Sequence, residues 1–223
     1  LSTTDFIKAA QQVHNPNSFK IHHGTHAKNF GAEIKDLGIE IKESVTVGYV
    51  GNLSIKYIDW ETVFGMAQDN GDVGFVFIGP VGKSNLSNSA VIDPFLIQAQ
   101  GLSNVYFVGA KPSTDLPGLL LNFDILLVAY KAKTYREQLA SPHKFMEYFA
   151  SGKVVLSSYT DEYKDKRDLL VMLDDNSALS ERLQTLKTQL AIHNSEAAQN
   201  KRKAFAAQNS YRHQIELIAS KIN

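Results

Sequence analysis

From residue 45 onward the chain repeats one pattern: a short apolar run rich in β-branched and aromatic residues, then an amphipathic stretch. The runs are VTVGYVG (45 to 51), VGFVFIG (73 to 79), NVYFVG (104 to 109), DILLVAY (124 to 130), KVVLSS (153 to 158) and LLVML (169 to 173). Short apolar strands separated by helical segments make a parallel sheet covered by helices on both faces. Helical spacing falls at roughly 58 to 69, 114 to 122, 142 to 151 and 176 to 192. The alternation predicts an α/β fold, a Rossmann-like doubly wound parallel sheet over residues 45 to 194.

Two regions frame that domain. Residues 1 to 44 hold a short helical stretch (4 to 13), the turn-forming NPNS (15 to 18), then FKIHHGTHAKNFG (19 to 31) and a polar linker. Residues 195 to 223 predict a C-terminal helix with an apolar stripe of Phe205, Tyr211, Ile215 and Ile218, which can pack on this domain or on something outside the chain. The first residue is Leu1 rather than Met, as expected of a piece cut from a longer protein.

Composition removes several classes of function. Lys+Arg and Asp+Glu both number 23, so no net field attracts nucleic acid, and any anion site must be local. The absence of cysteine removes disulfides, thiolate metal sites and cysteine nucleophiles, and fits a reducing compartment. The longest apolar stretch, residues 116 to 130, is broken by Asn122 and Asp124, too short and too polar to span a bilayer.

In an open parallel sheet the informative residues are those just after each strand. In GYVGNLSIKYIDW (48 to 60), Gly48 and Gly51 let the backbone turn closely, a helix follows whose amide dipoles face the loop, and Lys56 offers a charge. This describes a diphosphate cradle, and it also describes an ordinary strand-to-helix turn with a surface lysine. Dinucleotide binding is disfavoured: the third glycine of GxGxxG is missing, and the strand ending at Gly79 is followed by Pro80, not by an acid for ribose.

A more specific stretch is SPHKFMEYFASGK (141 to 153). Pro142 suits a first helical turn, Ser141 can cap it, and the amides there form an anion site to which Lys144 adds charge. His143, if protonated, adds to that field. Glu147 follows Pro142 by about one and a half turns, where a carboxylate can accept both hydroxyls of a ribose, and Gly152 ends the helix. The plain alternative is a capped amphipathic helix with Lys144 and Glu147 paired on its surface. His22, His23 and His26 cluster in sequence, but no cysteine accompanies them and no fixed helical spacing links them to Glu33 or Asp36, so no metal site is expected.

Taken in order, VGYVGNLS with Lys56, FVFIGP (75 to 80), NVYFVGAKPSTDLPGLLLNFDILLVAY (104 to 130) and SPHKFMEYFASGKVVLSS (141 to 158) resemble the C-terminal domain of retaining GT-B glycosyltransferases. They look most like the bacterial polysaccharide and lipopolysaccharide enzymes of glycosyltransferase family four. IHHGTHAKNF (21 to 30) is similar to the family's interdomain segment, which makes residues 1 to 44 a linker and the remnant of an N-terminal acceptor domain.

The resemblance implies a donor domain for a nucleoside-diphosphate sugar, UDP- or GDP-linked, with no cofactor, no metal and no nucleic-acid partner. It implies that Gly51 and Asn52 belong to the loop beneath the diphosphate and that Lys56, Lys144 and Glu147 are the catalytic set. Ser141, Pro142 and His143 with Lys144 would bind the same diphosphate, Glu147 the ribose, and the strand end at Val108, Gly109 and Ala110 the base. It implies a cytoplasmic parent enzyme, with peripheral association at the inner face of the cell membrane left open. Two positions depart from the family. Asn52 stands where an arginine is common, and Leu139 stands where the first of two glutamates is common, Glu137 being out of register. A sugar-nucleotide epimerase of the same architecture and a non-catalytic interaction module remain as alternatives.

Overall fold

The structure, a computed structural model, describes residues 2–26, 29–82 and 92–222; Ala27 and Lys28 of the HHGTHAKNF segment lie outside the described residues. Strands β1 (Val45–Val50), β2 (Val73–Ile78), β3 (Val105–Gly109), β4 (Ile125–Val128), β5 (Val154–Ser158) and β6 (Val171–Leu173) form one sheet in the order β3-β2-β1-β4-β5-β6. Every observed pairing is parallel, as the alternation predicts. β2 and β4 are buried on every residue because helices cover both faces, which is why their sequences carry no polar alternation.

The expected helices appear as α1 (Asp5–Gln12), α2 (Trp60–Asp69), α4 (Leu116–Leu120) and α5 (Lys144–Ser151), with α3 (Pro94–Ala99) added between β2 and β3. α3 is absent from the sequence expectation although its signal is present: Asp93 accepts the Phe95 amide at 3.0 Å and Pro94 takes the first turn. The stretch 176 to 192 divides into a 3-10 turn at Asn176–Ala178, α6 (Leu179–Thr188) and α7 (Leu190–His193).

The single C-terminal helix expected after residue 195 is two helices, α8 (Glu196–Gln208) and α9 (Tyr211–Ile222). The break has a tertiary cause. Thr25 inserts at the junction, donating its amide to the Asn209 carbonyl at 3.1 Å and accepting the Tyr211 amide at 3.0 Å. Part of the apolar stripe is thereby used: Phe205 packs edge-on against Phe149 and Tyr211 tilts against His26, while Ile215 remains 64% exposed.

Asn104, buried just before β3, ties the connection between α2 and β2 to the sheet. Its side-chain amide donates to the carbonyls of Ala67, Asn70 and Val73 at 3.0, 3.1 and 3.0 Å. Asn104→Ala leaves these buried acceptors short of a donor, so denaturant unfolding should show a loss of about 2 kcal/mol. A change inside about 0.5 kcal/mol, the scale of surface substitutions, would show that the lock is not needed.

The strand order turns back between β1 and β4, and their carboxyl ends open a crevice of the kind where open α/β sheets bind ligands. Gly51 leaves β1 on one side of it, and Ala129 and Tyr130 leave β4 on the other.

Candidate functional site

Two segments far apart in sequence meet in this crevice. Lys144, at the start of α5, reaches β1: its Nζ donates to the Val50 carbonyl at 3.2 Å and lies 3.6 Å from the centre of the Tyr49 ring and 5.2 Å from that of Tyr130. The Tyr49 and Tyr130 hydroxyls are 3.3 Å apart, and the Tyr148 hydroxyl accepts the Val50 amide at 3.0 Å. A β-carbon built on Gly51 would stand 3.1 Å from the Lys144 amine, so the lysine sits directly against the glycine loop. Gly51 itself donates to the Ile78 carbonyl at 2.9 Å, and Asn52 folds an Asx turn by accepting the Ser54 amide at 2.9 Å.

Burial sets the electrostatics of the crevice. Lys144 is only 6% exposed; burial pushes its amine well below the ordinary lysine value, and the Glu147 carboxylate opposes that shift without cancelling it. Burial and then the Lys144 charge push His143 down. His23, its ring centre 6.2 Å from that of His143, is pushed down by burial and by His143. Three basic groups thus hold their protons less readily than in water, and a bound anion would restore them.

Two local expectations are corrected. α5 begins at Lys144 rather than Pro142, and Ser141 does not cap it: His143 is the N-cap residue and makes no side-chain capping bond. The Phe145 and Met146 amides return to the carbonyls of Pro142 and His143 at 3.4 and 3.1 Å, closing a tight first turn in place of a hydroxyl cap. Nor does α2 direct free amides at the Gly51 loop. Turns intervene before Trp60, and Asp59 occupies the helix end by accepting the Thr62 amide.

Glu147 lies on the same side of α5 as Lys144, one turn on. It lines a pocket of about 230 Å³ with Ser151, with Ser113 and Leu116 after β3, and with His26, Asn29 and Tyr211 from the framing segments. Val108 is half-buried and Gly109 exposed at the β3 end, where the Gly109 carbonyl accepts the Gly79 amide at 2.9 Å. Lys56 sits apart from this grouping, exposed, with its amine 5.1 Å from the Tyr135 ring centre and 5.5 Å from that of Tyr57. Leu139, at the position where the family pattern has a glutamate, is a buried core residue.

Sequence reasoning missed Tyr49, Tyr130, Tyr148 and the pocket residues from the framing segments. Tyr49 and Tyr130 each sit at the end of a strand facing the crevice, which is the signal that strand-end position offers.

The three clustered histidines part company. His22 Nδ1 meets Glu162 at 2.8 Å, His23 faces His143, and His26 lies against Tyr211. No group of acids and histidines arranged to hold a metal occurs among the described residues, and no helix there is long and apolar enough to cross a membrane. A wider groove of about 620 Å³ is lined by Lys133, Arg136 and Arg167, but these cations are held by Asp175, Asp161 and Asp174 at 2.6, 2.7 and 2.6 Å. A cavity of about 360 Å³ lined by Glu137, Arg136, Asp161 and Glu162 is likewise occupied by internal ion pairs.

Glu162 anchors the N-terminal segment. Besides His22 it receives Lys20 at 3.3 Å, and Lys20 reaches Asp5 at 2.8 Å. Burial raises its carboxyl, but His22 and Lys20 outweigh that and hold it below the ordinary value of 4.5. A depressed carboxylate contributes stability that is complete above its unfolded pKa and lost as pH falls through the folded one. The melting temperature of the wild type should therefore fall more steeply between about pH 5 and about pH 3 than that of Glu162→Gln. Parallel profiles would remove Glu162 from the acid response.

No protein-family model matches the sequence, and no curated protein matches it. Solved structures do. WaaG, a glycosyltransferase involved in lipopolysaccharide biosynthesis, superposes with a TM-score of 0.68 at 18% identity, over 97% of this chain and 60% of its own. HepE of Anabaena, in complex with UDP-glucose, gives 0.71 at 14% identity, over 99% and 62%. Sucrose-phosphate synthase of Thermosynechococcus elongatus gives 0.69 at 15% identity, over 98% and 56%. The chain shares its fold with part of these proteins and spans about three fifths of their length.

Proposed function

We propose that this chain is the donor-nucleotide half of a glycosyltransferase, binding a nucleoside-diphosphate sugar for transfer to an acceptor held by a domain outside the chain. The observation that carries the reading is the placement of α5. Its Lys144 lies against the Gly51 loop, and its Glu147 lines a pocket with the residues that follow β3. A diphosphate bound over Gly51 would meet Lys144, while a ribose in the neighbouring pocket would offer two hydroxyls to Glu147. Val108 and Gly109 would then flank the base. In this reading residues 1 to 44 are linker and acceptor-domain remnant, 45 to 194 the nucleotide-sugar domain and 195 to 223 the C-terminal helical region.

The chemistry is substitution at the anomeric carbon. Negative charge gathers on the leaving diphosphate as the glycosidic bond lengthens, and donors aimed at that charge lower the barrier. Lys144 is the closest such donor here, with His143 beside it and Lys56 farther out. UDP is the first nucleotide to test, because HepE was crystallised with UDP-glucose and the fold is shared.

Calorimetry of the chain with UDP, GDP and ADP tests the reading. Binding of at least one nucleotide is expected, with Glu147→Ala weakening it about tenfold through the lost charge-assisted hydrogen bonds. No nucleotide binding at millimolar concentration would falsify the proposal, as would an unchanged affinity in Glu147→Ala.

A further inference from the structure

The surroundings of Lys144 are unusual for a cation. Among the described residues its closest contacts are the face of Tyr49 at 3.6 Å, the Tyr130 ring at 5.2 Å and one hydrogen bond to the Val50 carbonyl at 3.2 Å. Aromatic faces attract an ammonium electrostatically but accept none of its hydrogen bonds in the way an oxygen does, so N–H groups remain to be directed toward a ligand. The two tyrosine hydroxyls lie 3.3 Å apart, so a ring face from β1 and one from the residues that follow β4 meet around the amine.

We propose that Tyr49 and Tyr130 are positioning residues that hold the Lys144 amine against the Gly51 loop in a poorly solvated cage, from which it takes up a proton from solvent when a diphosphate binds. The proposal rests on the donor-nucleotide reading for the identity of the anion and deepens it by coupling binding to protonation. The balance is simple: the fraction of the amine that burial holds neutral takes a proton from the buffer and becomes an ammonium, whose hydrogen bonds the phosphate oxygens accept.

The groups facing the amine do not remove the need for that proton. Glu147 on α5 favours the charged form, but burial disfavours it more. Burial pushes Tyr130 up to about 12 and Tyr49 and Tyr148 also upward, so all three remain neutral phenols. His143, with His23 behind it, is a like-charge neighbour when protonated.

The test uses inorganic pyrophosphate and the whole chain, with calorimetry in buffers of different ionisation enthalpy from about pH 7 to about pH 9. Wild type should take up protons on binding, increasingly with pH, and lose affinity in step. Lys144→Arg should lose the lysine's part of that uptake and keep only the proton exchange of pyrophosphate itself, because a guanidinium stays charged across the range. Tyr49→Leu should bind about tenfold more weakly with altered uptake, whereas Tyr49→Phe, which keeps the ring face, should stay close to wild type. The proposal is overturned by uptake that persists unchanged in Lys144→Arg, by Tyr49→Leu behaving as wild type, or by no pyrophosphate binding at millimolar concentration. UDP separates it from the reading beneath it. If UDP binds no better than pyrophosphate while uptake tracks Lys144, the cage stands and the nucleotide site fails. If UDP binds far better with no uptake, the nucleotide site stands and the cage fails.

Discussion

Lys144→Met should weaken UDP binding about a hundredfold, since it removes a charged hydrogen-bond donor from a site sheltered from water. The same substitution should leave the fold no less stable than about 1 kcal/mol below wild type. The reasoning is one of opposing terms. A buried amine is costly to hold, and its replacement by an apolar side chain of similar length removes that cost. Against this stands the Val50 carbonyl, which loses its donor. Residues kept for binding commonly cost stability, and the separation of the two effects is the diagnostic. Chemical denaturation and UDP calorimetry on one preparation provide both numbers. Unchanged UDP affinity, or a loss of several kcal/mol in stability, would recast Lys144 as a structural strut.

Gly79→Ala should lower stability by about 3 kcal/mol and abolish nucleotide binding. At Gly79 the backbone has a φ of +151°, and an added β-carbon would overlap the carbonyl oxygen of Gly51. The obstacle is main chain, which cannot rotate aside as a side chain can. Gly79 also sits where three strand ends are joined. Its amide donates to Gly109 at 2.9 Å, Gly51 donates to Ile78 at 2.9 Å, and Leu53 donates to Pro80 at 3.0 Å. Pushing Gly51 away from Gly79 would therefore displace the loop on which Lys144 rests, far from any change in the lysine itself. Thermal unfolding and UDP binding measured together check this. A variant with wild-type melting and wild-type affinity would mean that the loop can shift without consequence.

Much of the architecture was legible because strand and helix leave periodic marks. Each of the six strands falls within two residues of the apolar run that predicts it. Gly152 ends α5 in the left-handed conformation, φ +82°, as its place after an amphipathic run suggests. The missed α3 was too short to carry a periodic signal, although Asp93–Pro94 marks its start. The division of α8 from α9 was not legible at all, since it depends on Thr25, which is remote in sequence and pairs with the junction at Asn209 and Tyr211.

The candidate site divides in the same way. The alternating fold and the segments GYVGN and SPHKFMEYFASGK were readable along the chain, because strand-end glycines and a lysine-glutamate helix are local patterns. Packing in three dimensions set the rest: Lys144, rather than Lys56, rests on the Gly51 loop, Tyr49 and Tyr130 lie against its amine, and Glu162 pairs with His22 and Lys20. Those outcomes depend on β4 lying beside β1 and on which side chains burial strips of water, and neither follows from spacing along the chain.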